Sequence, residues 1–131
     1  MMKKSLLLLA ALVLGGCATH WPESALLNPQ IIPSNQQYYS GNRITMEGVD
    51  KREAAYVFSI KKKEKAPVLV NSSQPLNSLL AEKLAEGLRS QGLEVGNSGT
   101  TNLTLAISTA AVTVEEKTFT YVTKSRVSLQ V

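Results

Sequence analysis

The chain has 131 residues, 44% apolar and 18% charged, which points to one small globular domain and excludes a disordered or fibrous chain. Its formal net charge of +4 includes Lys3 and Lys4; without them twelve basic residues face ten acidic ones, too mild a balance for nucleic-acid binding. Its single cysteine, Cys17, excludes an internal disulfide, and 5% aromatic residues predict an aliphatic core.

Met1–Lys4 form a short basic start, and Ser5–Leu14 an apolar run of ten residues. A spanning helix needs ~20 apolar residues. The run therefore reads as a translocation signal rather than a permanent span. Leu14-Gly15-Gly16-Cys17 resembles the lipobox of bacterial lipoproteins at all four positions. A thiol suits this place because its thiolate is a strong nucleophile, able to take a diacylglyceryl group as a thioether. The resemblance implies cleavage before Cys17, acylation of the new amine, and an anchor of several acyl chains, palmitate among them, where one chain would bind only marginally. Ala18 follows Cys17, which by the same resemblance implies release to the outer membrane of a Gram-negative cell, facing the periplasm.

Residues 17–43 read as the lipidated cysteine and a flexible tether. Pro22, Pro29 and Pro33 punctuate it, and no period of 2 or 3.6 persists. Its reach is roughly 25–30 Å. Ile31-Ile32 and Tyr38-Tyr39 leave open a second reading, in which part of it docks on the domain as an added strand. Trp21 favours a membrane interface as well as a solvated linker.

Residues 44–131 form the predicted domain. Ile44–Val49 alternates as a strand, with Asp50-Lys-Arg52 closing it; Ala54–Ile60 and Pro67–Val70 are further β-rich runs around the Lys61–Lys65 turn. Leu76, Leu79, Leu80, Leu84 and Leu88 share one helical face, with Ser73 as N-cap, Pro75 in the first turn and Gly92 as the stop. Leu93–Val95 begins an edge strand and Gly96–Gly99 a turn. Leu103, Leu105 and Ile107 alternate, then the apolar phase slips to Val112 and Val114, which predicts a bulge near Thr109. Glu115-Glu116-Lys117 reads as a hairpin turn. In the last strand Phe119, Tyr121, Val127, Leu129 and Val131 fall on one parity and Lys124, Arg126, Ser128 and Gln130 on the other. The expected fold is α+β: an antiparallel or mixed sheet with one long amphipathic helix packed on it. Because Val131 lies inside that last strand, the domain is expected to be incomplete at its C-terminus.

Three stretches, LGGC, ITMEGVDKR (Ile44–Arg52) and PLNSLLAEKLAEGLRSQGLEVGNSGTTNLTLAIS (Pro75–Ser108), resemble the YajG-like family of uncharacterised bacterial lipoproteins. The resemblance implies an outer-membrane lipoprotein of this fold whose relatives run on with further strand and helix. It implies no activity.

Asp50 and Arg52 are candidate interaction residues, with a surface ion pair in a turn as the plainer reading. Lys61, Lys62, Lys63 and Lys65 are candidates for anionic headgroups or cell-wall polymers, with a solvated turn as the plainer reading. The only histidine, His20, lies in the tether, so no metal set and no nucleophile-base pair is expected, and Gly96-x-x-Gly99 lacks the lysine of a phosphate loop. No catalytic residue, cofactor, metal or nucleic-acid partner is predicted. The expected function is that of a lipid-anchored, non-enzymatic interaction or accessory protein with an envelope protein partner. The alternative is a binding module for an envelope glycan or anionic lipid.

Overall fold

A computed structural model describes residues 22–131. The signal segment, Leu14, Gly15, Gly16 and Cys17 lie outside the described residues. Seven strands, β1 (Ser24–Ala25), β2 (Arg43–Asp50), β3 (Tyr56–Lys61), β4 (Val68–Ser72), β5 (Glu94–Val95), β6 (Thr101–Glu116) and β7 (Tyr121–Gln130), join one helix, α1 (Leu76–Arg89). They form a single sheet in the order β1-β4-β3-β6-β2-β5, with β7 paired to β6.

This architecture corrects the α+β expectation. Strands occupy 45% of the described residues, and the mixed sheet curls into a half-barrel. The helix has 14 residues, about 21 Å at 1.5 Å each. It lies mainly against β2, β5 and β6, too short to cover a sheet whose longest strand has 16 residues. The leucine stripe foretold a helix but not how little of the sheet it would cover.

β6 organises the sheet. It pairs in parallel with β2 over Thr101–Ile107 and with β3 over Val112–Glu115, while β7 runs antiparallel beside Ala106–Glu116. Because β7 occupies one edge from Ala106 onward and so overlaps both, β2 and β3 share the other, end to end. The register against β7 shifts between Ile107 and Thr109. This bulge at Ser108, one residue from the expected place, has a clear consequence. Directly opposed residues share a face, so Ile107 with Leu129 and Ala110 with Val127 keep Leu103, Leu105, Ile107, Ala110, Val112 and Val114 on one side. The apolar slip in the sequence is what a bulge must absorb to hold a single core face. Ile107, fully buried, meets Val57 and Leu76 there, with Leu27, Leu79 and Leu80 around them.

Helix α1 starts and stops differently from expectation at its first turn only. Pro75 takes the N-cap position with no side-chain cap. Ser73 is instead drawn into strand pairing, its N–H donating to the Ala25 carbonyl at 2.9 Å. At the other end Gly92, at φ +88°, closes the helix: Leu93 N–H reaches the Leu88 carbonyl at 3.1 Å and Gly92 N–H the Arg89 carbonyl at 3.0 Å. Those two bonds form a Schellman motif, which needs a left-handed residue where glycine sits.

Residues 22–42 of the expected tether lie on the domain. β1 adds in parallel to β4. Gln74 Nε2 donates to the Leu27 carbonyl at 2.9 Å, Ile31 packs over Gly87, and Ser34 N–H, Gln37 Nε2 and Tyr39 N–H all bond to Ser90 or Gln91. The docked edge is Ser24–Ala25, not Ile31-Ile32 or Tyr38-Tyr39. Ile32 and Tyr38 are exposed. The segment is a strap because Gln37 Nε2 and Tyr39 N–H satisfy carbonyls just past the helix C-terminus while Leu27 and Ile31 are half-buried. No helix among the described residues is long and apolar enough to cross a membrane.

Candidate functional site

Four places carry the residues that chemistry would use. The first lies in the gap between β2 and β3, opposite the bulge. Arg52 Nε donates to Asp50 Oδ1 at 2.9 Å and Oδ2 at 3.1 Å, and its NH2 reaches Oδ2 at 2.8 Å. Arg52 N–H donates to Oδ1 at 3.1 Å, and NH1 to the Tyr56 carbonyl at 3.4 Å. The Arg52 side chain is 8% exposed and that of Asp50 32%. The pair the sequence places in a turn forms there, with the guanidinium sheltered and the carboxylate partly exposed. It braces the chain where β2 breaks off and β3 resumes along the same edge of β6.

The hydrogen bond from Arg52, against a smaller opposing cost of burial, holds the Asp50 carboxyl below its ordinary pKa. The carboxylate raises the Arg52 pKa in return. A lowered carboxyl pKa contributes stability that is complete above the unfolded value and is lost as pH falls through the folded one. Asp50→Asn is therefore expected to cost about 0.5–1 kcal/mol at neutral pH, because solvent screens a carboxylate this exposed. In urea titrations the gap to wild type should hold down to about pH 4 and close below it. A gap unchanged down to the acid limit of folding would contradict this account.

The second place joins two hairpin ends. Lys61 ends β3, and Lys62, Lys63 and Lys65 lie in the β3–β4 turn. Lys61, Lys62 and Lys63 share a hollow of about 390 Å³ with Glu115, Glu116 and Lys117. The β6–β7 turn lies further on than expected: β6 continues through Glu116, and Lys117 N–H bonds to the Thr120 carbonyl at 2.8 Å. Two carboxylates from β6 therefore stand beside the lysines, and Glu115 pairs with Lys117 at 3.5 Å. They dilute the positive field that the lysine run suggests alone.

The third is β7. All ten residues are exposed although the strand is hydrogen-bonded to β6 along its length. Val127 is 64% and Leu129 47% exposed. Sequence reasoning found the strand and its two parities but not that both would be exposed. Lys124 and Arg126 project from the other parity, and the strand contains no acidic residue.

The fourth went unnoticed in the sequence. The strap, the C-terminal end of α1 and the N-terminal ends of β2 and β6 enclose a cleft of about 660 Å³. Leu88, Leu93, Ile44 and Leu103 line it, with Tyr39 and the Arg43–Glu94 pair among its polar groups. Arg43 Nε and NH2 both bind the same oxygen, Glu94 Oε2, with Nε at 2.7 Å. Only the facing register of Arg43 and Glu94, 51 residues apart, creates that pair. Among the described residues no group of three or more histidine, cysteine or acidic side chains is placed to hold a metal ion.

A family model described as an uncharacterised lipoprotein matches residues 29–131, from within the strap through β7, and the chain belongs to that family. No curated protein and no solved structure matches it.

Proposed function

We propose that this lipoprotein is held by a lipid on Cys17 at the outer membrane, faces the periplasm, and acts without catalysis by docking another envelope protein. The observation that carries the reading is β7, a ten-residue strand with one edge unpaired among the described residues and alternating exposed side chains. Such an edge recruits an extended segment by main-chain hydrogen bonding, while the side chains set specificity. Lys124 and Arg126, with no carboxylate on the strand, favour an acidic segment, and Val127 and Leu129 favour one that is apolar at alternate positions.

The anchor geometry agrees with this reading. β1 begins seven residues after Cys17, a span of at most about 25 Å. Across the run β1-β4-β3-β6-β7, the edge nearest the anchor and the open edge are opposite margins. β7 then faces away from the lipid, towards a periplasmic partner.

A photo-crosslinking residue in place of Ser128 should trap one discrete protein adduct in intact cells. The adduct should be lost in the Lys124→Glu/Arg126→Glu double variant with the unfolding midpoint unchanged. No adduct, an adduct with the mass of two copies of this chain, or one indifferent to charge reversal would overturn the assignment.

A further inference from the structure

The cleft at the far end of β2 and β6 is independent of β7 and carries its own chemistry. Its charges are one cation and one anion, Arg43 and Glu94, already paired with each other. An anionic ligand would meet Glu94 and a cationic one Arg43, so the cleft favours neither sign. A wholly apolar ligand would strip water from both without replacing its hydrogen bonds, which is costly. The geometry instead suits a neutral ligand with polar edges and an apolar face.

Three features narrow the class. Leu88, Leu93 and Leu103 supply an apolar floor of the kind that small-molecule sites use. Tyr39, 42% exposed, supplies an aromatic ring beside them. Both Arg43 bonds converge on Oε2, which leaves Glu94 Oε1 and Arg43 NH1 unengaged among the described residues. They remain one acceptor and one donor that the hydroxyls of a ligand can engage. Thr101 and Asn42 add further neutral polar groups at the rim. A sugar ring has both parts, a C–H face to lie on tyrosine and vicinal hydroxyls to bridge a guanidinium and a carboxylate.

We propose that this cleft binds a neutral saccharide unit, with Tyr39 as the stacking platform and Arg43 and Glu94 as the hydroxyl-binding pair. The test uses the full chain in lauryldimethylamine oxide micelles, whose headgroup carries no sugar, titrated with chitotriose and with maltotriose while amide NMR shifts are followed. One of the two should give saturable shifts confined to residues 39–44 and 93–101, unaffected by added salt. Tyr39→Ala and Glu94→Gln should each weaken binding about tenfold or more with the unfolding midpoint unchanged. The proposal is overturned by any of three results: no saturable shift with either sugar at about 10 mM, well above an ordinary millimolar Kd; tighter, salt-sensitive binding of trigalacturonate; or binding undiminished by both substitutions.

Discussion

Alanine at Gly48 is expected to destabilise the domain by about 3 kcal/mol or more, among the largest effects of any single added methyl group. Gly48 sits in the middle of β2 where the first turn of α1 crosses it. A Cβ there would run into the Asn77 carbonyl and stand 3.0 Å from the Ala81 Cβ. The obstacle is helix backbone, so no rotamer change relieves it. Moving the helix would also break the 2.9 Å bond from Asn77 Nδ2 to the Gly48 carbonyl and open the core around Leu76. For a small domain holding about 5–15 kcal/mol in total, such a loss lowers the urea midpoint sharply. Gly96→Ala is the matched control. Nothing lies within 4 Å of the position, and its φ is not in the left-handed region, so its midpoint should stay within about 0.5 kcal/mol of wild type. Equal midpoints for both variants would show that helix and strand do not meet at Gly48.

Serine at Cys17 should abolish incorporation of labelled palmitate and leave the signal segment uncleaved. A hydroxyl at ordinary pH is a far weaker nucleophile than a thiolate, so the thioether would not form. With no acyl chains the protein loses the hydrophobic contribution of about 0.8 kcal/mol per buried methylene. Fatty-acid labelling and intact-mass measurement read the two effects separately. Labelling of the Cys17→Ser chain at the wild-type level would remove the lipid anchor from this account, and with it the placement of β7 away from the membrane. The saccharide cleft would stand or fall by its own titration.

Neither result depends on the interior of the sheet being read correctly in advance, and much of it was not. Local periodicity exposed α1, because five leucines at helical spacing need no partner to be recognised. It also exposed β2, β7 and the bulge, because a phase slip between Ile107 and Val112 is visible along one strand. The Arg52–Asp50 pair was visible as a turn, two residues apart. The shelter around the guanidinium was not, since that comes from β3 and β6 closing around it.

What the amino-acid order determined by itself is therefore short-ranged: the lipobox-like run ending in Cys17, the positions of the helix and of every strand but β1, and the aliphatic parity of β6. Tertiary structure alone decided the rest. It placed β2 and β3 end to end on one edge of β6, laid the strap over Ser90 and Gln91, left β7 exposed among the described residues, and brought Arg43 to Glu94 across 51 residues. The physical reason is that periodicity records which face of an element avoids water, not which element will cover that face. A fourteen-residue helix shields one part of a curled sheet, and the apolar side of β7 looks the same in sequence whether it is covered or left exposed.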